Sequence, residues 1–366
     1  PYMDHAETDL NPRYERGTLQ EVYEMIGKDI EAGIPLIDDT AYSVPKYHFN
    51  YKAACCFASR YYLFMQDWDN AIKYATMALT SNPSSLLRDY SAIAALPNGT
   101  SRHQEYVNSA STANFLLQAA TSNSGLLFDW YSTAGRYSHG KLQGIYETVQ
   151  PKKGGPWGSS VTFKAPHAVL ASSGKYVLPR TWRVFQYTDP VAGTGFNKAI
   201  SVLFTSEEAL LNRAEAYIMK MNEDPTALDK ALEDINLYAA NLFSAGFKSM
   251  TEASIIKWAT ETYPDYSELY VGKTSVSSPQ TLNPKKKLHA APYNTLEEGG
   301  PQESMLQALI FMRRYQFLHE GMRWFDTRRF GITVYRYLLD EDAETVVQIT
   351  DQISDETGTA DPGRAL

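Results

Sequence analysis

Apolar side chains recur every three or four residues in several stretches of the chain, and between those stretches the rhythm fades. Leu19, Val22, Tyr23, Ile26 and Ile30 keep the spacing of a helix with one buried face. Thr18 and Glu21 stand in front of it as a capping box, and Gly33 followed by Pro35 ends it. Tyr51–Gln66 and Trp68–Ser81 read as an antiparallel helix pair with Asp67 in the turn. A second pair is predicted over Glu207–Phe243, capped by Thr205 and Glu208. Leu210, Ala214 and Tyr217 form one inner face, and Ala231, Ile235 and Tyr238 the other.

In the first pair, Ala58, Tyr62, Ala71, Ala75, Ala78 and Pro83 follow the tetratricopeptide pattern of small residues, ring and closing proline. Lone repeats cannot bury their own faces, so both pairs are expected to act as packing scaffold rather than as a peptide groove.

Residues 84–204 differ. Gly, Ser, Asn and Pro break up short apolar runs such as Phe115–Leu117, Lys175–Leu178 and Ile200–Phe204, which predicts one or two short strand pairings among long loops. Loops of such length inside a domain are usually functional. A second insert, Gly246–Pro301, carries Trp258, Tyr263 and Tyr293 and the run Pro284-Lys-Lys-Lys287, which reads as a solvated turn. Ile332–Leu366 is acidic and weakly patterned, as expected of a segment wrapping the surface.

Composition narrows the function. The 366 residues carry a net charge of −8, which argues against nucleic acid, and 43% hydrophobic content allows a large core. No apolar run is long enough to span a membrane as a helix. The two cysteines, Cys55 and Cys56, are neighbours and cannot staple distant segments. The seven histidines show no ligand spacing, so neither metal nor cofactor is expected. No nucleophile or phosphate-loop motif occurs, and Asp129, Glu147 and Asp189 are the only loop carboxylates that invite thoughts of glycoside cleavage. The chain is therefore not expected to be an enzyme.

Aromatic content points to binding. There are 25 Tyr, 15 Phe and 6 Trp, and Tyr in such excess suits surfaces that offer a ring face and a polar tip. Trp130 and Tyr131, with Arg136 and Tyr137 close behind, combine rings and hydrogen-bonding groups in one loop. Trp157 follows a Gly-Gly-Pro loop with no obvious core position, and Trp182 lies farther along the same region. A sugar presents an apolar C–H face and a belt of hydroxyls, so these six residues are the candidate ligand contacts.

One stretch concentrates charge and rings together. Arg313–Gly331, RRYQFLHEGMRWFDTRRFG, sets Arg313, Arg314, Arg323, Arg328 and Arg329 among Tyr315, Phe317, Trp324 and Phe325, with Glu320 and Asp326 as counter-charges. Tyr315, Leu318 and Met322 share one helical side, and Gly321 predicts two helical pieces meeting at an angle. Arg and Asp go inside only in pairs, so a buried ionic knot is the expected role, ahead of an anion site. The stretch resembles the C-terminal signature of the SusD/RagB family through Glu320, Gly321, Arg323, Trp324, Phe325, Asp326, Arg328, Arg329 and Gly331; Gln316, Thr327 and Phe330 depart from it. Leu211-Asn-Arg-Ala-Glu-Ala-Tyr217 is similar to a second family phrase.

The resemblance implies a mainly α fold with minor α+β content: tetratricopeptide-like helix pairs, long inserted loops and a few short strands. Within one domain, 1–366, it implies helices over 18–83, a ligand-binding insert over 84–204, a helix pair over 205–243, a second insert over 244–300 and signature helices over 301–331. Part of each end of the family's full length is expected to be missing. It further implies an outer-membrane nutrient-binding lipoprotein held by a lipid anchor not present in this chain. Such a protein captures oligosaccharide and hands it to a TonB-dependent, SusC-like transporter. Oligopeptide capture, glycoside cleavage and a purely scaffolding role stand as alternatives.

Overall fold

Side chains that accept backbone amides start the helices. In the computed structural model, which describes residues 2–3, 6–8, 10–125, 139–165, 175–176, 180–263, 283–340 and 346–353, Thr18 Oγ1 accepts from Glu21 N–H at 3.1 Å. The Glu21 carboxylate accepts from Thr18 N–H at 2.7 Å, which completes the predicted capping box on α1 (Leu19–Gly33). Leu19, counted into the buried face from its spacing, is instead exposed. Asn50 and Asp67 cap α2 (Tyr51–Phe64) and α3 (Trp68–Leu79). Ala58, Ala71, Ala75 and Ala78 have no exposed surface, so α2 and α3 pack closely, and the rings of Tyr62 and Tyr74 lie parallel at 5.3 Å.

The region expected to be mostly loop is more regular than that. It contains α4 (Tyr90–Ala95), α5 (Gly99–Tyr106), β1 (Asn114–Thr121), the two-residue strand β2 (His139–Gly140) and α6 (Lys141–Tyr146). After these come β3 (Thr162–Phe163), β4 (Lys175–Tyr176), β5 (Trp182–Asp189) and β6 (Thr194–Thr205). Strands β1, β6 and β5 form an antiparallel sheet in that order, while β2 pairs with β4. The runs Phe115–Leu117 and Ile200–Phe204 lie in β1 and β6 and pair there, as expected; the extent of the sheet was hidden because the outer halves of β5 and β6 are exposed on both faces.

The second predicted pair is α7 (Ser206–Lys220) and α8 (Ala227–Leu242), followed by β7 (Phe243–Ala245), which pairs with β3, and α9 (Glu252–Lys257). Helix α7 is buried on nearly every side against α2, α3, α8 and α10 (Pro301–Gln316). Helix α10 is likewise buried almost throughout from Glu303 to Gln316, so these two helices form the middle of the fold. Gly321, at φ +81°, turns the chain into α11 (Met322–Phe330), the predicted break between two pieces. Tyr315, Leu318 and Met322 are buried as their spacing requires. Gly331 then ends α11 at φ +66°, where a Cβ would lie 2.7 Å from the amide nitrogen of Ala290. Beyond it, β8 (Val334–Leu339) and β9 (Val346–Ile353) pair as an antiparallel hairpin, in place of the surface-wrapping segment expected there. Period-two patterning was hidden there because the outward positions Val334 and Leu338 are themselves apolar.

The result is a mainly helical fold with a few small sheets. No helix among the described residues is long and apolar enough to cross a membrane.

Candidate ligand-binding surface

The signature stretch builds a sealed ionic cluster at the junction of α7, α10 and α11. Arg313 Nε donates to Asp326 at 3.0 and 3.1 Å, and Arg313 Nη1 donates to Asn212 Oδ1 at 2.9 Å. Arg329 pairs with Asp326 at 3.2 Å and with Glu215 at 3.0 Å, while Tyr293 Oη donates to the same Glu215. Burial alone would raise the Asp326 carboxyl, but Arg313 and Arg329 hold it below the usual aspartate range. The guanidinium of Arg329 also lies 4.2 Å from the centre of the Phe330 ring. The expected knot is present, with the Arg313 guanidinium 5.0 Å from the centre of the Phe317 ring, but Trp324 and Phe325 do not share in it. Trp324 and Phe325 are 44% and 50% exposed, since they follow Arg323 on the outward side of α11. Arg328 is also on the exposed side.

A second link ties the signature to the loop region. Arg180 Nη1 donates to Glu320 at 3.0 Å and to Tyr106 Oη at 3.0 Å, and both Arg180 and Arg88 lie over the Tyr106 ring. Next to it, His139 and His319 bring their Nε2 atoms to 2.8 Å, one donating to the other. Burial, His319 and Arg314 push His139 down to about 3, so it is neutral near pH 7. The chain thus enters segment 126–138 at Gly125, against Arg183, and leaves it at His139, against His319.

The residues singled out from sequence have different fates. Trp130, Tyr131, Arg136 and Tyr137 lie outside the described residues, as does Asp129. Trp157 is a correction: it is 5% exposed and packs edge-on against Phe243, Phe311 and Phe163, with its indole N–H donated to the carbonyl of Pro151. The Gly-Gly-Pro loop that made it look exposed folds inward; a Cβ on Gly155 would sit 2.3 Å from this indole. Trp182 is half-buried and packs, with Ile200, against Tyr106, Val107, Leu117 and Val202 beneath the sheet.

Exposed rings occur one strand position away. In β5, Arg183, Phe185 and Tyr187 point to the face opposite Trp182, beside Ala199, Asn197 and Gly195 of β6. Phe185 and Tyr187 meet edge to face at 4.9 Å, and Tyr187 is 59% exposed. Gly195 keeps this face open to the rings: a Cβ there would sit 3.0 Å from Phe185 and 2.2 Å from the carbonyl of Gln186. Gln118 and Ser201, paired across β1 and β6, extend the same face with hydrogen-bonding groups. The signal in the sequence was the period-two alternation of Trp182, Val184 against Arg183, Phe185, Tyr187.

The loop carboxylates are occupied. Asp189 accepts from the amides of Val191 and Ala192 at 2.9 and 3.0 Å and so shapes the β5–β6 turn. Glu147 is buried between Lys286, at 2.9 Å, and Arg314, at 2.6 Å. Burial raises its carboxyl, but Arg314 and Lys286 bring it down to about 2, which suits a fixed counter-ion and not a proton donor. The lysine run is a correction too. Lys285 and Lys286 are buried, the first donating to the carbonyl of Ala259 at 2.8 Å, and only Lys287 is exposed. Partners from other segments, the Ala259 carbonyl for Lys285 and the Glu147 carboxylate for Lys286, are invisible in the local sequence. Among the described residues no group of His, Cys, Asp and Glu could hold a metal ion.

Residues 1–63 match a SusD-like family described as starch-binding and associating with the outer membrane. A SusD superfamily protein from Bacteroides fragilis has the same fold, with a TM-score of 0.51 and 16% identity over 96% of this chain and 61% of its own. Another SusD-like protein from Bacteroides fragilis is similar at 16% identity over 93% of this chain and 68% of its own, with a TM-score of 0.49. A SusD-like carbohydrate binding protein from Bacteroides vulgatus is 17% identical over 91% of this chain and 57% of its own, with a TM-score of 0.46. No curated protein matches. The chain shares the fold of that SusD superfamily protein over nearly its whole length, and its residues 1–63 are similar to the SusD-like family. It spans 57% to 68% of the length of these three solved structures.

Proposed function

We propose that this chain captures oligosaccharide at a surface centred on the Phe185–Tyr187 pair. The observation that carries this reading is two exposed rings 4.9 Å apart on one sheet face, in register with Arg183 and Asn197. An aromatic face takes the C–H side of a sugar, and the amide and guanidinium take its hydroxyls. The SusD-like fold and the description of the matched family, starch-binding and associating with the outer membrane, support the same reading. On that basis the protein works at the outer membrane, and its cargo passes to a TonB-dependent transporter. The loop residues Trp130, Tyr131, Arg136 and Tyr137 belong to the proposed binding region as the neighbours in sequence of Gly125, which abuts Arg183.

The test is isothermal titration against plant, host and microbial oligosaccharides, with mixed oligopeptides alongside. The Phe185→Ala/Tyr187→Ala double variant is expected to lose about tenfold or more in glycan affinity, because each stacked ring contributes on the order of 1 kcal/mol. Saturable glycan binding with the same affinity in the double variant overturns the assignment of the face. Binding of peptides alone overturns the glycan reading.

A further inference from the structure

We infer that the pocket between α1 and α2 is a binding site for a compact apolar molecule bearing a positive charge, an arylalkyl amine in chemical class. The pocket has a volume of about 420 Å³, within the roughly 300–1,000 Å³ of sites that enclose small molecules. One wall is a stripe of Ile26, Ile30, Ile34 and Ile37 along α1 and the turn after it. Phe49, just before α2, and Phe57 within it form the other. Ile30 and Ile34 are buried, but Ile26, Ile37 and Phe57 keep part of their surface in water and Phe49 is exposed. Covering that apolar surface is the driving force for a ligand.

Small residues keep the space open. Tyr61 Oη donates to the carbonyl of Tyr23 at 2.7 Å and Tyr62 Oη to Glu31 at 2.9 Å, which fixes α1 on α2. Between the two walls Ala54 contributes only a methyl group. Gly33 lines the pocket with no side chain, and a Cβ placed on it meets nothing within 4 Å. An enclosed space of this size takes one small molecule rather than the broad contact of a protein partner.

The charge of the lining selects the ligand. Among the described residues that line the pocket, Asp29 alone is charged, and it is exposed. It accepts a hydrogen bond from Tyr2 Oη, and no Lys or Arg among the described residues pairs with it. Its neighbour Lys28 lies 3.9 Å from the sulfur of Met25 and is not in the lining. A carboxylate has acceptor sites for several donors, so one tyrosine hydroxyl leaves room for an ammonium group. An amine can meet Asp29 while its apolar body lies between the isoleucines and the rings. An anion of the same shape is repelled, and a sugar finds no partners for its hydroxyls on these walls. The site shares no residue with the Phe185–Tyr187 face, so it stands or falls independently of that proposal.

The test is isothermal titration with phenethylamine, phenethyl alcohol and hydrocinnamate, which share a ring and a short chain and differ in the head group. The amine is expected to bind about tenfold more tightly than the carboxylate and severalfold more tightly than the alcohol. Salt is expected to shrink that advantage, because Asp29 is exposed. Asp29→Asn is expected to bring the amine down to the level of the alcohol. Gly33→Leu adds a side chain where there is open space and the backbone is helical, at φ −81° and ψ −42°, and is expected to abolish binding of amine and alcohol alike. The Phe185→Ala/Tyr187→Ala variant leaves all three affinities unchanged. Asp29→Asn alters an exposed side chain, so it decides the matter even where Gly33→Leu fails to fold. No saturable amine binding, equal affinity for amine and carboxylate, or unchanged amine affinity in Asp29→Asn overturns the inference. So does full amine binding in a folded Gly33→Leu protein. An amphipathic Leu/Lys peptide that binds more tightly than the amine, and is lost in Gly33→Leu, overturns the choice of a small molecule.

Discussion

Asp326 and Glu147 are both buried carboxylates gripped by two basic side chains, yet the two regions around them end differently. At Asp326 the charges close on themselves: Arg313 and Arg329 face Asp326 and Glu215, Arg313 also donates to Asn212, and Arg329 to Tyr293. Two guanidiniums and two carboxylates balance, and Arg313 has no exposed surface. At Glu147 the same chemistry borders a pocket, lined among the described residues by Lys286, Arg314 and Arg323 beside the Glu147 carboxylate. A balanced cluster rigidifies the packing of helices. One at a pocket edge keeps part of its charge within reach of solvent, as the 19% exposure of the Arg314 side chain shows.

Removing the counter-ion of the sealed cluster is the most damaging change we foresee. Asp326→Ala leaves Arg313 and Arg329 buried with only Glu215 between them, and the expected loss is about 3–5 kcal/mol in urea unfolding. A loss below about 1 kcal/mol would mean that water reaches Asp326, and the contrast with Glu147 would collapse.

Trp157→Ala tests whether the sealed centre includes the ring that sequence placed outside. Its indole fills the space between Phe163, Phe243 and Phe311, so truncation is expected to cost about 3–5 kcal/mol, while Tyr187→Ala stays within about 0.5 kcal/mol. Equal costs for the two rings would contradict the burial described here.

The open cluster is best probed with acid. The folded Glu147 carboxyl lies at about 2 against an ordinary 4.5, so its contribution is complete above pH 4.5 and disappears as pH falls through 2. The difference corresponds to about 3 kcal/mol. Glu147→Gln is therefore expected to be less stable than the parent by roughly that amount near pH 7, with the gap closing toward pH 2. Denaturant titrations at several pH values measure it, and a gap independent of pH would show that Lys286 and Arg314 do not set the charge of Glu147.

The contrast between clusters also marks how far the sequence could be read. The helix pairs and the break at Gly321 were legible because helical period and turn chemistry are local. The Arg313–Asp326 pair was legible in part, being thirteen positions apart within one motif. The Glu147 cluster was not, since its members come from 147, 286, 314 and 323 and meet only in the folded chain. Trp157 misled for a related reason. A ring on a loop or an irregular strand carries no helical phase, and only its neighbours decide whether it is covered.

The lysine run gives the smallest and sharpest test of the same point. Lys285 reaches a carbonyl, Lys286 reaches Glu147, and Lys287 pairs with Glu298 at the surface with 39% and 51% of the two side chains exposed. Three identical neighbours therefore differ only in what the fold places opposite them. Lys287→Ala is expected to change stability by less than about 1 kcal/mol, and concentrated salt should abolish even that. Lys286→Ala is expected to cost more and to resist salt, because Glu147 is screened by protein rather than by solvent. If both substitutions cost the same and fade together in salt, Lys286 behaves as the solvated residue its sequence suggests.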